Sequence, residues 1–186
     1  MLAHLLPNDE GEVASVPITD VKPGVFRILL WYVYGGSVAE EGLKHHAKDI
    51  IDAADKYGVI NLKLEAEAAY VESTKITVGN AMDNLLYADA KNCALLKEAV
   101  IDILADNGRE VISKVSFSDV PGHLMKDLLV ATTRIREDKN RPVDDFDIMR
   151  VSELRRKLRE KGLDADGSRE AMIEALTSST ESKNKK

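Results

Sequence analysis

Two stretches predict the helical framework of this protein: residues 21–36 read VKPGVFRILLWYVYGG, and residues 50–63 read IIDAADKYGVINLK. The first predicts a helix, because its proline is tolerated in a first turn and its double glycine stops the helix. Apolar side chains cover almost every face of that helix, which indicates burial on several sides. In the second stretch, apolar residues recur at helical steps up to Gly58 and resume from Ile60, which predicts a pair of helices.

The same helical spacing continues towards the C-terminus. It predicts helices over 60–72, 78–90 and 94–104, and a further one over 121–135. Aromatic residues are sparse, and strand-like alternation is nearly absent apart from one short extended piece at 13–18. We therefore expect a mostly α fold.

Residues 136–147 are polar and contain a proline, which makes them the best candidate for a linker between two domains. Beyond them, a short unit has helix-like apolar spacing at Val151, Leu154 and Leu158, followed by a glycine turn and a second apolar stripe. Two such helices can close a small core. Residues 178–186 are rich in serine and lysine and lack apolar anchors, so we expect a disordered tail.

The charge distribution restricts where nucleic acid could bind. The chain has 186 residues and a formal net charge of −6. Residues 1–140 hold 15 basic and 22 acidic residues, whereas residues 141–186 hold 11 and 10. Within 150–161 there are six basic residues against two acidic ones, so attraction to phosphate is expected to start there.

Several function classes have little support in the sequence. No apolar run approaches the roughly 18 residues of a membrane helix, and no basic secretory leader is present. A single cysteine, Cys93, excludes an intramolecular disulfide and fits a reducing compartment. His45 and His46 have no metal-site partners at familiar spacing, and no nucleophile elbow or phosphate loop is found. We expect no enzyme activity, no metal and no cofactor.

The two stretches that open the framework resemble the second half of a BTB/POZ domain. In that family a helix ending in a Tyr-Thr-Gly-like turn leads to a helix containing Ala-Ala-Asp-Lys-Tyr and then Leu-Lys; here the turn is Tyr-Gly-Gly at 34–36. Residues 80–104 are similar to the helical extension that follows the BTB fold in speckle-type POZ proteins. The resemblance implies a truncated α+β BTB/POZ unit over 1–73 with its helical extension over 74–135.

The BTB/POZ resemblance also implies partners. The earlier strands and helices of a complete domain would precede residue 1, so we expect a fragment of a longer product or a degenerate BTB unit. Proteins of this family associate with other BTB chains and commonly recruit cullin scaffolds for ubiquitylation. By that analogy a cullin would contact Leu6, Tyr70, Ile76 and Val78. The alternative is that the last three are ordinary core or interhelix residues.

Residues 148–177 resemble a SAP module, a short helix, extended turn and helix that usually touches nucleic acid. Gly162 suits a helix C-terminus at positive φ, and Ser168 suits an N-cap that leaves backbone N–H groups available to a phosphate. The residues that carry the pattern are Val151, Leu154, Leu158, Gly162, Leu163, Gly167, Ser168, Arg169, Met172, Ile173 and Leu176.

The SAP resemblance implies contacts with DNA or RNA. None of the implied residues is positioned to read a base uniquely, so binding should be weak, salt-sensitive and mainly through the backbone. Four carboxylates, at positions 164, 166, 170 and 174, oppose it, and a solvated charged helix is the alternative. The implied contacts are Arg155, Arg156, Arg159, Lys161, Gly167, Ser168 and Arg169.

These features together indicate an interaction protein. We interpret it as an adaptor that brings a partner, such as a cullin ligase, to chromatin or RNA through a flexibly tethered SAP module. A nuclear location is favoured over a cytoplasmic one. The alternatives are a nucleic-acid-associated scaffold without a ligase role and an inactive fragment of a longer BTB protein.

Overall fold

The computed structural model describes residues 17–114, 116, 120–137, 146–147 and 149–184, and this part is helical without any strand, as the sequence predicts. The sequence predicted a short extended piece at 13–18. Residues 13–16 lie outside the described part, and Pro17 and Ile18 are in no strand. The helices are α1 (Pro23–Val33), α2 (Glu40–Tyr57), α3 (Ile60–Ser73), α4 (Val78–Ala90), α5 (Ala94–Asp106), α6 (Gly108–Lys114), α7 (Gly122–Glu137), α8 (Val151–Glu160) and α9 (Arg169–Asn184).

The helical pair predicted around Gly58 forms the centre of the fold. Gly58 ends α2 with φ +69°, a left-handed conformation that glycine adopts without strain, and α3 begins two residues later. So short a connection makes the two helices antiparallel neighbours. Several of the residues between them are alanines, which let the helices approach closely. The buried residues at this contact include Ile50, Ile51, Ala53, Ala54, Leu62, Ala66 and Ala69.

Helix α3 is buried on two sides. Leu62, Ala66 and Ala69 belong to the core shared with α2, as expected for one apolar stripe. About a quarter-turn or more away around the same helix, Lys63, Leu64 and Glu67 are buried as well. This second buried face indicates that another part of the chain covers α3.

Helix α5 links α4, α6 and α7 to α3. Helix α5 contacts α3, α4 and α7, and it contributes Leu96, Val100 and Leu104 to the common core. Helix α7 adds Leu124 to the same core. We call residues 17–137 the body. Its helix α6 was not predicted, because seven residues give too short a periodic pattern.

Helices α8 and α9 form a second core, and they lie against the body. We call residues 146–184 the C-terminal unit. Its core includes Leu154, Leu158, Met172 and Leu176, and it is completed by Leu64 of α3 and Ala94 of α5. The C-terminal unit is therefore docked, whereas the sequence led us to expect a flexible tether. The expectation rested on the polar linker, most of which, 138–145, lies outside the described residues.

The end of α9 differs from the disordered tail expected at 178–186. Helix α9 continues to Asn184, and the last two residues lie outside the described part. Within this extension, Ser179 and Thr180 both donate to the carbonyl oxygen of Leu176, at 2.9 and 3.3 Å. Lys161 Nζ also donates to Ser179 Oγ at 2.6 Å and so ties α9 to the end of α8.

Trp31 closes the turn that follows α1. Its indole Nε1–H donates to the carbonyl oxygen of Ser37 at 3.0 Å, which brings the ring across Gly36. A Cβ atom on residue 36 would lie 2.1 Å from Nε1. Only glycine therefore fits beneath the indole.

The substitution Gly36→Ala should displace the indole and lower the free energy of unfolding by about 1 kcal/mol, because the Ser37 hydrogen bond is lost. Trp31 is the only tryptophan, so its near-ultraviolet circular dichroism band reports the displacement. The matched control is Gly79→Ala in the first turn of α4, where the nearest atom would lie 3.9 Å away. That control should be neutral or slightly stabilising. An unchanged tryptophan band in Gly36→Ala would contradict the packing.

Candidate functional site

Glu67 lies at the centre of the contact between the body and the C-terminal unit. Its side chain is 1% exposed. One carboxylate oxygen, Oε1, accepts the N–H groups of Leu95 and Leu96 in the first turn of α5, at 2.7 and 3.0 Å. The other oxygen, Oε2, accepts from Arg155 Nη2 of α8 at 2.6 Å. Glu67 therefore caps α5 and at the same time holds α8.

Lys63 makes a second charged contact, one turn before Glu67 on α3. Its ammonium group lies 2.9 Å from Asp55 Oδ1 of α2 and 3.3 Å from Asp166 Oδ2 in the turn before α9. Burial lowers the pKa of Lys63, but the two carboxylates more than offset it, so the pKa is raised. Lys63 is therefore charged at neutral pH and bridges the body to the C-terminal unit.

Helix α5 supplies a carboxylate for the start of α8. Both oxygens of Glu98 accept the N–H of Val151, the first residue of α8, at 3.3 and 3.2 Å. Burial raises the pKa of Glu98, and the Val151 N–H and the nearby Arg150 oppose this rise. Arg150 is also ion-paired with Asp102 of α5. The positive end of α8 thus faces acidic side chains of the body.

Cys93 is buried beside this contact. Burial and the neighbouring Glu67 carboxylate raise the pKa of the thiol to about 12, although Lys63 and Arg155 act in the opposite direction. The side chain is therefore a protonated thiol at neutral pH and a poor nucleophile.

A groove of about 500 Å³ lies between α5, α7 and the start of α9. Some of its charged side chains are paired. Lys97 Nζ is 3.2 Å from Asp89 and 2.8 Å from Asp127, and His123 Nε2 is 2.9 Å from Asp89. The lining nevertheless holds six carboxylates against three Lys and Arg side chains, so the groove is acidic. Within the described residues, no three His, Cys, Asp or Glu side chains are grouped so that they could hold a metal ion.

The structure separates the cations predicted on α8. Arg156 and Arg159 are exposed, and Arg156 donates to Glu160 at 2.8 Å on the same helix. Arg155 is only 6% exposed, because it faces Glu67. Lys161 is half-buried and bonded to Ser179. Of the four cations predicted within 155–161, Arg156 and Arg159 are therefore exposed, whereas Arg155 and Lys161 are not.

The start of α9 has the predicted local geometry. Gly162 has φ +67° and Gly167 has φ +110°, and Ser168 Oγ accepts the N–H of Ala171 at 3.3 Å as an N-cap. Arg169 Nη2 donates to the carbonyl oxygens that precede α8, at residues 147 and 149, at 2.8 and 2.9 Å. Arg169 therefore already holds the two helices together, in addition to any contact it makes with nucleic acid.

Glu170 lies at this end of α9. Burial raises the pKa of Glu170, but hydrogen bonds from its own backbone N–H and from Ser168 outweigh burial, so the pKa is lowered. The carboxylate thus accepts hydrogen bonds at the N-terminal end of α9, where the SAP resemblance implies a phosphate contact.

The residues predicted to touch a cullin lie in or against the core. Val78 is 8% exposed, and Tyr70 and Ile76 are half-buried. The Tyr70 hydroxyl donates to Asn84 Oδ1 at 2.8 Å, which joins α3 to α4. Leu6 lies outside the described residues. These positions fit the alternative of interhelix residues, and the cullin contact stays a prediction.

The sequence did not reveal Lys63 and Glu67 as contact residues. They are four residues apart on a helix, a spacing that usually indicates a solvent-exposed ion pair. Their partners lie about a hundred residues away in the chain, and no local pattern connects them. The one available signal was that apolar residues at 62, 64, 66 and 69 leave α3 with little solvent face.

Comparison with known families agrees with this division of the chain. Residues 1–75 match the family model of the BTB/POZ domain, and residues 145–181 match that of the SAP domain. The chain therefore has one segment similar to a BTB/POZ domain and one similar to a SAP domain, as its sequence motifs predict. The SAP match covers the core of the C-terminal unit. Both kinds of domain are interaction domains.

Three curated relatives extend the comparison. TD and POZ domain-containing protein 1-like and TD and POZ domain-containing protein 1, both from Mus musculus, are each 31% identical over 102 residues, which are 55% of this chain and 27% of each relative. BTB and MATH domain-containing protein 40 from Caenorhabditis elegans is 24% identical over 147 residues, which are 77% of this chain and 36% of the relative. The chain thus spans roughly a quarter to a third of the length of these relatives.

No described helix combines the length and apolar character needed to cross a membrane.

The substitution Arg155→Ala should lower the free energy of unfolding by about 3 kcal/mol, because it leaves the Glu67 carboxylate buried without its cation. The adjacent Arg156→Ala is the matched control, since Arg156 is exposed and its pair with Glu160 contributes less than about 1 kcal/mol. Urea denaturation followed by circular dichroism measures both. Equal values for the two variants would show that the buried pair does not hold the C-terminal unit.

Proposed function

We propose that this protein is a nuclear adaptor, which contacts nucleic acid through α8 and a protein partner through its BTB/POZ segment. The observation that carries the nucleic-acid part is the pair of exposed arginines, Arg156 and Arg159, on the SAP domain. They are three residues apart on a helix and therefore lie side by side. Guanidinium groups at this spacing suit two neighbouring phosphates.

The energetics of this surface favour weak binding. Glu160 lies on the same helix as the arginine pair, and both partners of its ion pair with Arg156 are exposed. A phosphate can replace such a surface pair at small cost. The body is acidic and repels nucleic acid, so contact is limited to the C-terminal unit. Affinity should therefore fall steeply as salt is added.

Replacing both Arg156 and Arg159 by alanine should weaken binding to a short DNA duplex about tenfold and reduce the slope of log affinity against log salt by about 2. Arg27→Ala with Arg109→Ala is the matched control, since it removes two exposed arginines of the body. Fluorescence anisotropy over a salt series measures both double variants. Equal losses in the two would show that binding reflects net charge and not the α8 surface.

The partner part of the proposal is supported by the BTB/POZ match and by the resemblance of residues 80–104 to the extension of speckle-type POZ proteins. BTB proteins of that kind present substrates to cullin ubiquitin ligases. The half-buried Tyr70 and Ile76, near the junction of α3 and α4, keep some surface for such a contact. Another BTB chain is a second kind of partner proposed for the same segment.

A purified cullin N-terminal domain should be retained by the immobilised protein at about 0.5 M salt, because the contact is mainly apolar. Ile76→Ala should lower the retained amount, whereas Val71→Ala, another half-buried apolar residue of the same region, should not. Retention of nucleic acid without cullin would instead support a scaffold that has no ligase role.

A further inference from the structure

Arg155 is the predicted nucleic-acid contact that the docked arrangement removes from solvent. Its neighbours Arg156 and Arg159 are exposed on the same helix, whereas its own guanidinium is turned towards α3. A partial rotation of α8, or a small displacement of α8 away from α3, would expose Arg155 beside the arginine pair. We propose that the SAP domain is self-masked: Glu67 of the body holds Arg155 in the place of a phosphate, and nucleic acid competes with the body for this face.

Glu67 is an incomplete substitute for a phosphate. Its Oε1 is engaged with the N–H groups of Leu95 and Leu96, so only Oε2 meets the guanidinium, at Nη2. Arg155 Nε is buried and has no hydrogen-bond partner among the described residues. A phosphate offers several oxygens and can accept from Nε and Nη2 together. The exchange of Glu67 for phosphate therefore gains a hydrogen bond for Arg155.

The other interactions between the body and the C-terminal unit also allow the two to separate. Asp166 Oδ1, like Arg155 Nε, is buried without a hydrogen-bond partner in the described part of the chain. A buried polar atom without a partner costs free energy, which weakens the docked arrangement. The apolar part of the contact is small, since among the described residues the body adds Leu64 and Ala94 to the buried core of the C-terminal unit, with Leu95 packed partly buried against it. Most of the remaining attraction is between charges. A buried ion pair adds little net stability, so a competing anion can take the place of Glu67.

The masking also explains why acidic groups surround the positive end of α8. Glu98 accepts from the first N–H of that helix, and Asp102 pairs with Arg150 just before it. Together with Glu67, these carboxylates present to the SAP domain the negative charge that a nucleic-acid backbone would present. The inference rests on the proposed function, because it concerns the regulation of the same nucleic-acid face.

Two variants of the full chain should open the contact by different means. Glu67→Gln keeps a carbonyl oxygen for the two α5 amides but loses the carboxylate that binds Arg155. Leu64→Ala weakens the apolar part and leaves the net charge unchanged. The matched control is Glu72→Gln, which makes the same charge change at an exposed position of the same helix.

Each variant is titrated into a fluorescent DNA duplex over a salt series. Glu67→Gln and Leu64→Ala should bind about tenfold more tightly than the unmodified protein, since a larger fraction of molecules is open. Their salt slope should be steeper by about 1, because Arg155 adds one phosphate contact. Glu72→Gln should change the affinity less than about twofold.

Alkylation of Cys93 gives a readout that does not depend on nucleic acid. The thiol is the only one in the chain, it is 1% exposed, and the charges of Glu67 and Arg155 act on it. Its alkylation rate should rise in the two opening variants and stay unchanged in Glu72→Gln. Because Glu67 itself raises the pKa of the thiol, a rise in Leu64→Ala is the one that reports opening alone. Circular dichroism identifies a variant that fails to fold, and the other opening variant then decides the outcome.

The outcomes distinguish a failure of self-masking from a failure of the proposed nucleic-acid binding. Faster alkylation together with tighter, more salt-dependent binding in an opening variant supports self-masking. Faster alkylation with the affinity of the unmodified protein, or an affinity gain equal to that of Glu72→Gln, overturns self-masking and leaves the proposed function in place. No binding by any variant, although Cys93 is alkylated faster, overturns the proposed function and self-masking with it.

Discussion

The carboxylate of Glu67 is the interaction on which the arrangement of the helices depends. It joins α3, α5 and α8, and its two oxygens serve different helices. A buried ion pair of this kind contributes little net stability, because removing both charges from water costs nearly as much as their attraction returns. Its value is in specificity, since a shifted α8 would leave a charge buried alone. The contact therefore favours one position of the C-terminal unit over neighbouring ones.

The buried pair of Lys63 and Asp166 also favours this orientation, because the body and the C-terminal unit exchange the roles of anion and cation there. At Glu67 the body supplies the anion and the C-terminal unit supplies the cation, whereas at Lys63 the body supplies the cation and Asp166 the anion. Turning the unit around would bring Asp166 towards Glu67 and Arg155 towards Lys63. Like charges would then meet in a buried place, which is costly. Two opposite pairs, one helical turn apart on α3, thus select a single docking direction.

The sequence predicted the helices well and their long-range contacts poorly, for a physical reason in each case. Glycines and apolar periodicity are local signals, so the ends of α1 and α3 and the turns at Gly58, Gly162 and Ser168 could be inferred from a few neighbouring residues. The first turns of α2 were missed, because residues 40–46 hold a single large apolar side chain, Leu43, and the helix is irregular at His46. Docking of the C-terminal unit could not be inferred, since it depends on side chains about a hundred residues apart. For the same reason, Arg155 looked like its exposed neighbour Arg156 in a one-dimensional pattern, although the two face opposite environments.

The capping of α8 by Glu98 has a consequence for the order in which the chain folds. The acceptor for the first N–H of that helix belongs to α5, which is more than forty residues earlier in the chain. During synthesis the N-terminal part of a protein leaves the ribosome first. The surface made by α3 and α5 can therefore be complete before α8 exists, and it can serve as a template on which the last two helices settle.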